Sequence, residues 1–120
     1  MRGFITEDLE PVIDDLSIMA KSENIRLKAI LDTGYNGSLC LPRKYKKKCK
    51  LQSIGVETFE LADGSLMKEE LFIGQIIIDG NPYFVEITFT DSAIGLIGMQ
   101  LLDAKIAVFN LKNRTIEVSY

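Results

Sequence analysis

Asp32-Thr33-Gly34 closes one apolar run, Ala29-Ile30-Leu31, and precedes another, Leu39-Cys40-Leu41, that stops at Pro42. A carboxylate carried out of a strand into a threonine and a glycine serves either a turn, since Asp and Gly both favour turns, or a reaction. The chain has no histidine. That removes Ser-His-Asp and Cys-His nucleophiles, HExxH zinc sites and imidazole acid-base chemistry from a site built of this chain type. Proton chemistry near neutral pH then falls to carboxylates, lysine, tyrosine or cysteine with displaced pKa values. Paired carboxylates are the leading candidate.

Little else in the chain is equipped for chemistry. Cys40 and Cys49 are the two cysteines and lack a metal-type spacing. The amino-terminal stretch Met1-Arg2-Gly3-Phe4-Ile5-Thr6-Glu7-Asp8 turns acidic with no apolar signal core, so reduced thiols and a cytoplasmic setting are expected. Asn36-Gly37-Ser38 and Asn113-Arg114-Thr115 fit the glycosylation pattern but read as turns. The formal charge of -3 argues against a general nucleic-acid binder, and no apolar run reaches membrane-spanning length. Six basic residues fall between Arg43 and Lys50. They form either a contact for an acidic partner or, more simply, the solvated face of a short helix.

The elements that must position Asp32 are strands. At 120 residues the chain has room for one core, and the expected organisation is a single domain over residues 1–120. Ile25, Leu27, Ala29 and Leu31 repeat every second position, the period of a half-buried strand. An earlier strand from about Val12 to Met19 reaches it through the polar turn Lys21-Ser22-Glu23-Asn24, giving a hairpin. Ser38 to Leu41 is a short strand ended by Pro42. Val56 to Leu61 and Leu66 to Ile78 flank Ala62-Asp63-Gly64-Ser65, whose Asp-Gly is a strong hairpin signal. Asp79 to Pro82 makes a turn into Tyr83–Phe89. Ile94 to Ile97 ends at Gly98, Met99 to Asp103 suits one helical turn, and Lys105–Leu111 with Thr115–Val118 forms a closing hairpin.

That order resembles the retropepsin-like aspartic proteases, the single-domain branch of the pepsin superfamily, from about Val12 to Val118. Ile30-Leu31-Asp32-Thr33-Gly34 is similar to the catalytic loop of that family. Leu61-Ala62-Asp63-Gly64-Ser65 falls where it has a flap tip, and Gly95 to Leu102 matches its hydrophobic-hydrophobic-Gly segment with the following helical turn. The form Asp-Thr-Gly-aromatic-Asn-Gly followed by Leu-Pro is most similar to a prokaryotic set within the superfamily. The resemblance implies an all-β, closed or partly open acid-protease barrel with one or two short helices. It implies Asp32 as catalytic carboxylate, Thr33 as the hydroxyl bracing the loops and Gly34 as the residue admitting close backbone approach. Ala62, Asp63, Gly64 and Ser65 would cover a bound peptide. Tyr35 stands where retroviral members carry a small residue, and would narrow or wall a substrate pocket.

Two carboxyls pressed together cannot both ionise cheaply, so they share a proton, and one serves as base while the other serves as acid. The chain has a single Asp-Thr-Gly. The resemblance therefore implies a homodimer in which Asp32 meets Asp32 of a second copy across a two-fold axis. The expectation is an aspartic endopeptidase acting on extended peptide or protein substrates, with no cofactor and no metal, and with neither nucleic acid nor membrane as partner. Two rivals share the same residues: a catalytically silent dimer that binds peptide in the same cleft, and a plain β-barrel scaffold in which Asp-Thr-Gly is only a turn.

Overall fold

The computed structural model describes all residues 1–120 as ten strands and two short helical turns. The strands are β1 (Arg2–Ile5), β2 (Pro11–Ile18), β3 (Ile25–Leu31), β4 (Leu39–Pro42), β5 (Leu51–Glu60), β6 (Leu66–Ile78), β7 (Asn81–Thr90), β8 (Gly95–Ile97), β9 (Ile106–Asn110) and β10 (Thr115–Ser119). A 3-10 turn spans Arg43–Tyr45, and α1 (Met99–Leu102) follows β8. No helix is long and apolar enough to cross a membrane.

Six of the strands close on themselves. β6 pairs with β7, β7 with β4, β4 with β8, β8 with β3, β3 with β2, and β2 again with β6. The ring thus realises the barrel expected from sequence, and two appendages extend it. The β5–β6 hairpin runs past the ring on one side, and β1, β10 and β9 continue the sheet on the other. β2 belongs to both parts, because Gly3 to Ile5 of β1 pair with its first half and Ile76 to Ile78 of β6 with its second. A register shift between Ile13 and Leu16 marks the change of partner. Such a bulge bends a strand and increases its local twist.

Side-chain alternation fills the ring. Leu27, Ala29 and Leu31 of β3 point inward while Arg26 and Lys28 face solvent. Ile13, Leu16, Ile18, Leu39, Ile76, Ile87 and Ile97 are fully enclosed with them in one cluster. Phe72 and Phe89 meet edge to face at 5.5 Å, a favoured arrangement of ring quadrupoles.

Several elements differ from the sequence reading: β5 begins at Leu51 rather than Val56, β4 takes in Pro42, which pairs with Thr90, and three further segments depart from it. β1 was not anticipated: Arg2-Gly3-Phe4-Ile5 is short and carries no clear alternation, and it becomes a strand by lying between β2 and β10. The Arg43–Lys50 segment makes only a 3-10 turn, closed by Lys46 N–H to Arg43 O, followed by one longer bond from Cys49 N–H to Tyr45 O. Its lysines repel at helical spacing, and only Tyr45 and Cys49 give it an inward face. β7 begins at Asn81, so Pro82 lies inside the strand opposite Ile77. It is tolerated there because β4 joins β7 only at Ile87–Thr90, leaving the proline on a free edge. Asp79 and Gly80 both have positive φ, as a two-residue hairpin link requires.

Candidate active site

Asp32 is held where two buried strands of the ring end together. β3 and β8 run parallel, Leu31 beside Ile97, and the Asp32 N–H donates to the Ile97 carbonyl at 2.9 Å. Beyond Leu31 the chain turns at once. Gly34 N–H donates to Asp32 Oδ1 at 2.9 Å, and Tyr35 N–H donates to the Asp32 carbonyl at 3.1 Å. One carboxylate oxygen is therefore fixed by a backbone donor. Thr33 and Gly34 are exposed and Asp32 is half-buried, so the loop faces outward from the ring. A β-carbon on Gly34 would lie 3.2 Å from Asp32 Oδ1, a tight approach that glycine avoids.

The segment Leu96-Ile97-Gly98 lies directly against this loop. Gly98 N–H donates to Ser38 O, Met99 N–H to Tyr35 O and Gln100 N–H to Gly37 O, at 2.8 to 3.1 Å. The Ser38 hydroxyl adds a bond to Gln100 Oε1 at 3.0 Å. Any β-carbon at Gly98 would sit 2.1 Å from the Gly37 carbonyl oxygen and 2.6 Å from the Tyr35 ring. The first turn of α1 thus begins inside the loop that carries Asp32.

Tyr35 leads from the loop to a cavity of about 690 Å³ between the ring and the long hairpin. Its hydroxyl lies 3.2 Å from Thr88 Oγ1, and burial pushes the phenol above its ordinary pKa. Phe89 and Leu96 give the floor, while Phe59, Leu61 and Met67 reach in from β5, β6 and their junction. Phe59 and Met67 are cross-strand partners, so they project from the same face of the hairpin. Cys40 also lines the cavity, and burial raises its thiol pKa, which keeps it protonated. Arg43 and Asp91, paired at 2.8 Å, stand at the rim.

At the far end of the hairpin, Leu61 N–H donates to Ser65 O and Gly64, with φ +84°, completes the turn. Asp63 Oδ1 accepts from both the backbone and the hydroxyl of Ser65, and these bonds hold its carboxyl below the usual range. Of the residues singled out in the sequence, the fold gathers Asp32, Thr33 and Gly34 on one loop and places Tyr35 in the cavity wall. Asp32 does not line that cavity, and neither do Ala62, Asp63, Gly64 and Ser65, which stand at the exposed hairpin tip. As cavity-lining residues, sequence reasoning missed Phe59, Leu61 (read only as part of the flap tip), Met67 and Thr88. The signal for the first three was apolar spacing across the Asp-Gly turn; for Thr88 it was a lone hydroxyl between Ile87 and Phe89.

No family model and no curated protein matches the chain by sequence. Its structure is similar to that of a retropepsin-like aspartic protease from Rickettsia conorii, with a TM-score of 0.65 and 18% identity, over 100% of this chain and 89% of that one. It is similar to the Simian Foamy Virus (mac) protease at a TM-score of 0.51 and 16% identity, over 72% of this chain and 89% of that one. The foamy viral protease-reverse transcriptase in complex with an RNA/DNA hybrid gives a TM-score of 0.51 and 17% identity, over 72% of this chain and 11% of that one. At these identities the likeness is one of fold.

Proposed function

From a chain with the retropepsin-like aspartic-protease fold and a single Asp-Thr-Gly loop, we propose a homodimeric aspartic endopeptidase that hydrolyses peptide bonds of extended polypeptides. The observation that carries this reading is the outward-facing Asp32 loop, with its carboxylate pinned by Gly34 N–H at the joined ends of β3 and β8. A carboxylate presented that way, and alone, is half of a proton-sharing pair.

In the mechanism, Asp32 from each of two copies forms the dyad. One carboxylate takes a proton from water as that water attacks the peptide carbonyl; the other, protonated, donates a hydrogen bond to the carbonyl oxygen. The proton then passes to the leaving amine as the C–N bond breaks. Thr33 of each copy is the hydroxyl available to bond the opposing loop, and Gly34 keeps space beside Asp32. Tyr35 walls the apolar cavity, which suits an apolar substrate side chain. The hairpin carrying Ala62, Asp63, Gly64 and Ser65 lies over the peptide and donates backbone bonds to it. The chain works as one domain over residues 1–120, in the cytoplasm, without cofactor or metal.

The test is cleavage of an unfolded protein at acid pH, with the particle mass followed in parallel. Asp32→Asn should lower turnover by about 10²- to 10⁴-fold, the usual share of a general acid-base group, and a statine-type inhibitor should block the unaltered chain. Undiminished cleavage by Asp32→Asn would overturn the proposal. A second reading, a silent peptide-binding dimer, draws on the separation of Asp32 from the cavity lining. It predicts peptide binding without turnover, unchanged in Asp32→Asn.

A further inference from the structure

The cavity beside Tyr35 has apolar walls and an acidic side. Alternation along the long hairpin puts Glu57 and Phe59 of β5 on the same face as Met67 and Glu69 of β6, and Glu69 lines the cavity. Phe59 faces Met67, and Glu57 stands directly opposite Glu69. Like charges in that position weaken a strand pair. Neither is relieved within the chain. The three ion pairs join Met1 to Asp79, Arg43 to Asp91 and Lys46 to Glu70, and the Ser53 hydroxyl bonds Glu70 rather than Glu69. The neighbouring cations are already engaged or turned away. Arg43 is the one cation in the cavity lining, and Asp91 holds it at 2.8 Å. Its pKa is raised chiefly by Asp91, with Glu69 adding a weaker pull. Lys46 meets Glu70 on the opposite face of β6, Lys68 lies on that same opposite face across from Thr58, and Lys44 stands over the Tyr45 ring. On β7, Glu86 shares the face of Thr88 and brings a third carboxylate. Burial is the main cause that lifts the Tyr35 phenol, and Glu57 and Glu86 lift it further.

We infer that this cavity takes a lysine or arginine side chain of the bound polypeptide, and that Glu69 is the residue that selects it. The inference deepens the peptide-cleft reading of the site and rests on it. The aliphatic stem of a basic residue suits Tyr35, Phe59, Met67 and Phe89, while its charged head leaves those walls to meet a carboxylate. A cavity of about 690 Å³ has room for such a side chain at full stretch. A head lodged at Glu69 also lies beside Glu57, so one bound cation relieves a repulsion that the free chain carries. An acidic side chain would instead meet Glu57, Glu69 and Glu86, with the guanidinium of Arg43 already held by Asp91. A purely apolar one would fill the walls and leave the two opposed carboxylates as they are.

The experiment is fluorescence anisotropy of the full chain with short labelled peptides, alike except for a central lysine, norleucine or glutamate. Norleucine keeps an aliphatic stem and removes the charge. The unaltered chain should bind the lysine peptide about 10-fold tighter than the norleucine one, the worth of one charge-assisted bond, and the glutamate peptide most weakly. Added salt should narrow the gap. Glu69→Gln, which removes the charge and keeps the shape, should abolish most of the lysine advantage with an unchanged circular dichroism spectrum. Glu117→Gln, at an exposed position of β10, should leave that advantage intact. Equal affinity for the lysine and norleucine peptides, an advantage untouched by Glu69→Gln, or no binding of any of the peptides overturns the inference. Cleavage is read separately, by sequencing the fragments of an unfolded protein. Lysine-selective binding without cleavage defeats the endopeptidase proposal and leaves the cavity assignment standing; cleavage with no basic residue favoured at any fixed position from the cut bond does the reverse.

Discussion

Asp32 and Gly98 are each fixed by their immediate neighbours, one through a hydrogen bond and the other through lack of room. Asp32 accepts from Gly34 N–H, and Gly98 lies where any side chain would strike the Gly37 carbonyl and the Tyr35 ring. Gly98→Ala should therefore cost about 1–3 kcal/mol, the usual penalty for overpacking a closed site. Urea unfolding measures it, and a loss under 0.5 kcal/mol would show that the loop gives way freely. The candidate carboxylate was legible in the sequence because its signal is local: an apolar run, then Asp-Thr-Gly. The cavity was not, because Phe59, Leu61 and Met67 reach Tyr35 and Thr88 only when a hairpin folds across a ring.

Among elements, the long hairpin carries its own pH sensitivity. Ser65 bonds hold the Asp63 carboxyl below its ordinary pKa. A group depressed in the folded state adds stability above its unfolded pKa and loses that contribution as pH falls through the folded value. The tip should accordingly keep its turn through mildly acidic pH and loosen only below the ordinary carboxylate range of about 4. The protection factor of the Ser65 amide, its exchange relative to the intrinsic rate at each pH, follows this: it should fall below that range in the unaltered chain but not in Asp63→Asn, and a factor that stays level through that range in the unaltered chain would contradict it. This hairpin was readable beforehand because Asp-Gly and flanking alternation act at short range, and β6 occupies the expected Leu66–Ile78. β1 was not, since its four residues are strand only by virtue of partners more than a hundred residues apart in sequence, β2 and β10. The Arg43–Lys50 run failed as a helix for a related reason: spacing allowed one, but too few side chains had a core to enter.

For the whole molecule, the closed ring concentrates stability at its seams. Ile76 is fully buried, faces Ile18 across one seam and Tyr83 across another. Ile76→Ala should cost about 2–5 kcal/mol, whereas Phe84→Ala, exposed one residue along from Tyr83, should stay within about 0.5 kcal/mol. Equal losses in chemical denaturation would mean that the ring is not the cooperative unit. Sequence patterning made an all-β domain legible and the resemblance implied its barrel, yet the closing pair itself, β2 with β6, leaves no local trace. In that pair Leu16 faces Ile78. A ribosome adding about 5–20 residues per second therefore releases β2 roughly 3–12 s before its last partner is translated. During that interval β2 has β1 and β3 beside it, but the seam that Leu16 and Ile18 form with Ile78 and Ile76 stays open and apolar.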